Sequence, residues 1–425
     1  MSRMRLLSRA ALAAVVLSAA ACSASEPQPE APRIGEVRIG VLAPRSGVSR
    51  AAGIESQRGA ELAADLVNGE QGPAALAGTA GAGGLARLGG HLTLVGADTR
   101  SDPEHAASEA VRLVSAEHVA GLVGAYDADV TEVASQRTER LRVPFVNGDS
   151  PTDFLTNRGL DWFFRTGPTD RMFGEAFFSA LGQLAGDTRQ IAILYSKDGP
   201  GSVVAKLTGE LASEGGFQSV AKVAYLPGTD PVPAIQQLRT KAPDQTPVFA
   251  IASTPGDATA VVKAIRQTGY TPPGIFAFGS GFLETGALAP TDAEGLFAGT
   301  AWSREVAGRS PVAKPVMEMY EDRFGAPMSE VAAGSFTAVL VLADAIGRAG
   351  STDPQRVRSA LLNLDIPGRE MIMPWSGVRF DTFHQNTAAA GVVEQRVKGL
   401  FRVVFPDELQ PENPAVWPLS RLRKG

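Results

Sequence analysis

Short apolar runs alternate with helical stretches along most of this chain, and that alternation leaves few folds open to it. The run 37–43 (VRIGVLA) ends at Pro44, and residues 53–68 carry helical spacing through Ala60, Leu62, Ala63, Leu66 and Val67. A strand is predicted at 91–95. Asp102 followed by Pro103 then supplies an N-cap and a first-turn proline for a helix over 103–117. Strand 119–123, helix 130–141 and strand 143–146 follow. Beyond Arg165 the pattern restarts with helix 169–184, strand 191–195 and helix 201–214, closed by Gly215-Gly216. Strands at 220–225 and 248–252 flank a further helix, and helix 257–268 leads to strand 275–278. Near-continuous apolar strands separated by helices predict parallel sheets covered on both faces. Two such rounds in 425 residues predict an α/β protein of two doubly wound, Rossmann-like lobes.

The first residues stand apart from this pattern. Arg3, Arg5 and Arg9 precede an apolar stretch, 10–21, which is too short to cross a bilayer core of about 30 Å but suits a signal peptide. The stretch ends at Cys22, the only cysteine, so no disulfide framework is available. The run 17–22 (LSAAAC) resembles a bacterial lipobox, with Ala19 where leucine is usual, and implies acylation of Cys22. The alternative is cleavage after an Ala-x-Ala pattern, leaving a free thiol. Residues 22–33 then read as a Pro- and Glu-containing tether outside the fold.

Forty basic against 45 acidic residues leave a net charge of −5, and no basic tract points to nucleic acid. Catalytic constellations are also missing from the sequence. The four histidines, His91, His105, His118 and His384, show no metal-ligand spacing, and neither a GxSxG elbow nor a P-loop is present. The Gly81-Ala82-Gly83 run imitates a dinucleotide fingerprint, but it follows a helix inside the Gly/Ala-rich tract 69–90, which reads as a loop. No enzyme activity, cofactor or metal is expected.

Several segments, in order, resemble the leucine/isoleucine/valine-binding protein family, the substrate-binding components of branched-chain amino-acid and amide ABC importers. They are Pro44-Arg45-Ser46-Gly47, the 59–63 helix (GAELA), 98–114 (DTRSDPEHAASEAVRLV), 121–124 (GLVG) and Val143-Pro144-Phe145. Leu155-Thr156, Phe164-Arg165-Thr166, Asp170, Gly174, Glu294-Gly295, 335–346 (SFTAVLVLADAI) and Phe380-Asp381 extend the match. The resemblance implies a type I periplasmic-binding-protein fold with three hinge crossovers, near Arg165, Trp302 and Pro374. Lobe one would hold 34–165 and 303–373, and lobe two 166–302 and 374–405, with 406–425 a C-terminal extension. It further implies a lipid-anchored, extracytoplasmic protein that captures a small polar ligand between its lobes and delivers it to a permease–ATPase complex.

In that family one lobe holds the ligand carboxylate with hydroxyls and backbone N–H groups at helix starts. The corresponding loops are 124–131 (GAYDADVT) and 147–152 (NGDSPT), giving Tyr126, Ala128, Asp129, Thr131, Asp149, Ser150 and Thr152 as candidate contacts, with Ser46 from the first loop. Asp127, Asp129 and Asp149 would repel an anion, unless they are caps or solvated turn residues. On the other lobe Asp170 matches an ammonium-binding position, whereas Gly281 stands at the second acidic position. Pro200 and Thr254 replace common tyrosines, and Ala51-Ala52 an aromatic in the first loop. The acidic loops suggest a cationic or hydroxyl-rich ligand, with Asp129, Asp149 and Asp170 expected to converge. A ligand-sensing or cell-wall-regulatory lipoprotein without transport is the alternative.

Overall fold

The computed structural model describes residues 34–69, 72–76, 84–279, 282, 292–410 and 415–421. The expected leader, the tether with Cys22, and Gly281 lie outside them.

The first sheet grows from β1 (Glu36–Ala43), which pairs in parallel with β2 (His91–Asp98) and with β3 (Gly121–Gly124). β4 (Phe145–Asn147) and β5 (Phe163–Arg165) continue it, giving the order β2-β1-β3-β4-β5. The period-two geometry of a strand decides what each side chain meets. Val37, Ile39 and Val41 pack with α1 (Arg50–Val67), whereas Leu42 faces α2 (Pro103–Ser115) and α3 (Ala128–Leu141). Asp102 caps α2 by accepting from the His105 N–H at 2.7 Å, with Pro103 at the first helical position as the sequence predicts.

The second sheet has seven strands, ordered β14-β13-β10-β9-β8-β6-β7. Its parallel part consists of β6 (Gln190–Ser196), β7 (Gln218–Tyr225), β8 (Val248–Ile251), β9 (Ile275–Phe278) and β10 (Phe297–Thr300). The helices α4 (Asp170–Leu184), α5 (Gly199–Glu214), α6 (Val232–Lys241) and α7 (Pro255–Gln267) alternate with these strands. Phe177, Phe249, Phe276 and Phe297, all fully buried, form its aromatic core.

After β10 the chain returns to the first body through α8 (Arg304–Ala307), α9 (Ala313–Phe324), α10 (Glu330–Ala349) and α11 (Pro354–Leu362). Ser329 caps α10, which is buried continuously from Ala332 to Gly347. Among the described residues α10 is the one helix long and apolar enough to cross a membrane, yet it lies in the protein core. It runs beside α1, where Gly59 has no Cβ to meet the Ala332 carbonyl oxygen; an added Cβ would fall 2.0 Å from it. A two-strand ribbon, β11 (Ile366–Pro367) with β12 (Gly377–Val378), completes this body.

The chain then re-enters the second sheet as the antiparallel strands β13 (Val392–Val397) and β14 (Leu400–Phe405), which the all-parallel expectation lacks. Trp375, Val378 and Phe380 pack with the first core. Gln385 pairs alongside Arg165, where the first connection leaves. Residues 415–421 fold back on the second sheet: Val416 exchanges two hydrogen bonds with the Gln395 side chain, at 2.7 and 2.9 Å.

Candidate ligand-binding site

β1, β2, β3 and β4 run in parallel, so the loops after Ala43, Asp98, Gly124 and Asn147 emerge along one edge of the first sheet. Open α/β sheets bind ligands at this carboxyl edge. The loops are laced by hydroxyl–carboxylate contacts. The Ser46 N–H and hydroxyl donate to the two Asp98 oxygens at 3.1 and 2.7 Å. Burial pushes the Asp98 carboxyl up, but hydrogen bonds from Ser46 and Arg100 outweigh it and hold the group below its usual range. Ser49 donates its hydroxyl to Asp127 at 2.5 Å and its N–H to Ser101 Oγ at 3.1 Å.

Asp127 occupies the N-cap position of α3 but does not cap it with its side chain, which is turned to Ser49. Burial, reinforced by Asp129, raises its pKa. Asp129 is exposed, and its carboxylate accepts from the Val130 N–H at 2.8 Å.

The loop after β4 is folded from within. Asn147 donates to the Gly124 carbonyl at 2.7 Å and accepts from the Ser150 N–H at 3.1 Å. Ser150 gives its hydroxyl to the Tyr126 carbonyl, and Thr131 Oγ1 stands 3.3 Å from it. Both hydroxyls are almost wholly buried, at 1% and 0% exposed, so they join the two loops to each other. Ala128, partly buried, opens α3 between them.

Arg165 anchors the loop from beneath. Fully buried, it donates to the carbonyls of Ser150 (3.1 Å) and Thr152 (2.6 Å), to Thr156 Oγ1 (2.9 Å) and to Gln385 Oε1 (2.6 Å). Burial pushes its guanidinium down to about 10. Asp170, the first residue of α4, donates its N–H to the Pro151 carbonyl at 2.8 Å. Burial and the nearby Asp153 push its carboxyl up to about 7, against the opposing pull of Arg165.

Asp149 behaves differently from its neighbours. Neither of its oxygens meets solvent or a hydrogen-bond partner. Burial and the proximity of Glu330 push it up to about 8. It is therefore neither a cap nor a solvated turn residue.

On the second sheet Asp198 caps α5 through the Gly201 N–H at 2.7 Å and accepts the Ser253 hydroxyl at 2.8 Å. Ser196 and Ser253 hydroxyls are 2.8 Å apart. Pro200 lies exposed in the first turn of α5. Thr254, also exposed, caps α7 through Asp257.

The three acids Asp129, Asp149 and Asp170 differ in their surroundings. Asp129 interacts with Asp127, Asp149 with Glu330, and Asp170 with Asp153 and Arg165, so the three answer to different charges. In sequence they follow β3, β4 and β5 respectively. Sequence reasoning missed Ser49, Asp98, Ser253 and Glu330. For Asp98 a signal existed, since an acidic residue ending a strand on the carboxyl edge faces the loop after the neighbouring strand.

The second crossover is held between two glutamates, one partly buried and one buried. Glu330, at the start of α10, accepts the Ala301 N–H (2.8 Å) and the Thr300 hydroxyl (3.0 Å). Glu394 of β13 accepts the Ser303 hydroxyl at 2.5 Å. Burial raises both carboxyls, Glu394 to about 7. Among the described residues no cluster of histidine, cysteine or carboxylate side chains could hold a metal ion.

Known proteins share this fold. The family model of periplasmic binding proteins matches residues 36–399. Leu/Ile/Val-binding protein homolog 7 of Brucella abortus is 28% identical over 410 residues, covering 92% of this chain and 96% of the relative. A leucine-binding protein of Thermotoga maritima superposes with a TM-score of 0.68 at 23% identity, covering 88% of this chain and all of the other. A branched-chain amino-acid transporter substrate-binding protein of Streptococcus pneumoniae, solved with isoleucine, gives 0.70 at 22% identity, covering 87% of this chain and 100% of that one. A solute-binding protein of R. palustris, solved with benzoate, gives 0.68 at 18%, covering 89% and 100%. At these identities the solved structures speak for the fold, while the family match spans most of the sequence: the chain belongs to the periplasmic binding protein family.

Proposed function

We propose that the chain is an extracytoplasmic solute-binding lipoprotein that closes its two lobes around a small polar ligand and passes it unmodified to an ABC importer. The observation that carries this reading is the pair of α/β sheets, each presenting hydroxyl- and carboxylate-bearing loops at the carboxyl edge of its parallel strands and joined by three crossovers. Such a joint favours hinge closure, with the ligand supplying the contacts that stabilise the shut state. The lobes in this reading comprise 34–165 with the α8–α11 segment, and 166–302 with β13 and β14. The candidate contacts remain Ser46, the loops carrying Tyr126, Ala128, Thr131, Asp149 and Thr152, and on the second lobe Asp170, Pro200 and Thr254.

The test is recovery of co-purified small molecules by mass spectrometry from protein made in its own host, followed by scattering measurements of closure. A ligand that is returned intact and shrinks the particle supports the proposal. A protein that carries nothing and never closes favours the regulatory reading. The engagement of Ser196, Ser253 and Thr254 with Asp198 and Asp257 is the observation on that side.

Cys22 is proposed as the acylated residue. Cys22→Ala is expected to move the protein from the membrane to the soluble fraction of fractionated cells; unchanged membrane retention would sink the anchor.

A further inference from the structure

The lacing of the cleft loops leaves one group unexplained. Asp149 as a whole is only partly buried, yet both its carboxyl oxygens are shielded and meet no donor among the described residues. A shielded carboxyl without a partner is expensive to hold. Its surroundings make the omission specific. Asp149 Oδ1 lies so close to Gly334 of α10 that a Cβ there would fall 2.6 Å away. Glu330, one turn earlier, is the charged group that acts on it, and Glu330 is itself met by neutral donors, the Ala301 N–H and the Thr300 hydroxyl. On the far side of the loop Arg165 is committed to the Ser150 and Thr152 carbonyls.

Two further polar groups near these turns of α10 also lack partners. Ser335, beside Gly334, is 2% exposed and its hydroxyl is unpartnered. Ser56 of α1 is 1% exposed and likewise unpartnered. The contacts Ser329 to Glu55 (2.6 Å) and Gly59 to Ala332 put Ser56 alongside the first turn of α10.

From this juxtaposition we infer that Asp149, backed by Glu330, receives a cationic group of the ligand, an alkylammonium or guanidinium. The inference rests on the solute-binding reading and names the ligand class for it. An ammonium brings three donors and no acceptor, and the two unpartnered Asp149 oxygens are acceptors for it. A carboxylate placed there would face two acids and no cation. A cation also favours ionised Asp149, so binding releases a proton and the affinity rises with pH through about 8.

The test uses the mature chain and its Asp149→Asn variant in thermal-shift and calorimetric titrations with L-arginine, agmatine and putrescine. L-leucine and benzoate serve as the uncharged-side-chain and anionic references. The expected result is stabilisation of the wild type by at least one cationic probe and at least a tenfold loss of affinity in Asp149→Asn, as for a charge-assisted contact of about 1.4 kcal/mol or more. The affinity should also climb between pH 6 and 8 in the wild type and stay flat in the variant. Ser335→Ala, which keeps the carboxylate, should weaken the same probe less. Failure of every cationic probe, or equal binding by wild type and Asp149→Asn, overturns the cation site. If leucine or benzoate alone binds and closes the lobes, only the cation assignment falls. If no probe and no co-purified molecule closes them, the solute-binding reading itself falls.

Discussion

Replacing Arg165 by methionine is expected to lower the unfolding free energy by about 3–5 kcal/mol, the range seen when one partner of a buried charged network is removed. The guanidinium is fully buried and serves four acceptors, two of them backbone carbonyls of the loop after β4 and one the Gln385 side chain of the third connection. Methionine fills much of the volume but leaves those acceptors without donors, each a penalty of about 1–3 kcal/mol before relaxation. Lysine should not rescue the loss, because a single ammonium cannot reproduce the planar fork that reaches Ser150, Thr152, Thr156 and Gln385 together. Denaturant titration measures the effect. A midpoint shift worth under about 1 kcal/mol would show that the loop does not depend on this residue.

Asp149→Asn is expected to act in the opposite direction on the ligand-free protein. Asp149 ordinarily titrates near 3.8 and stands at about 8 in the folded state. A carboxyl raised in this way contributes stability that is fully present below its unfolded pKa and is lost as pH rises through the folded one. Asp170 and Glu394, both pushed up to about 7, have the same sign. The apo protein should therefore lose stability steadily from about pH 4 to pH 8. Asparagine removes the largest single contribution to that slope and should stabilise the protein at pH 8 by on the order of 5 kcal/mol. Urea unfolding at pH 5, 6.5 and 8 tests it. Parallel slopes for wild type and variant would mean that Asp149 is ionised and solvated in the unliganded state. The variant should thus be more stable and bind worse, the usual relation where a site holds a group in readiness for its ligand.

The alternation of 37–43, 91–95 and 191–195 with helical stretches made both sheets legible, because strands buried on two faces must be apolar throughout. The hairpin of β13 and β14 carried a signal that went unused. Lys398-Gly399, both at positive φ, separates two strand-like runs, and such a two-residue turn marks antiparallel pairing. The acidic character of the cleft loops was legible too, but not the fate of each acid. Asp127 looks like a cap and instead holds Ser49; Asp149 looks like a turn residue and is shielded. Those outcomes depend on Ser49 and on Glu330 and Gly334 of α10, which are distant in sequence from the loops they meet. Local pattern cannot carry such information.

The apolar length of α10 has a meaning before folding as well as after it. A secreted chain crosses the membrane unfolded, and a segment of this length and composition can slip sideways into lipid and halt there. An ionised residue deep within such a segment raises the free energy of that escape by about 2.5–3.5 kcal/mol at the bilayer centre. Asp344 stands within this segment, nearly inaccessible in the finished core and paired with Arg348 one turn on. For a chain exported unfolded, such an acid would weigh against lateral escape of this helix into lipid.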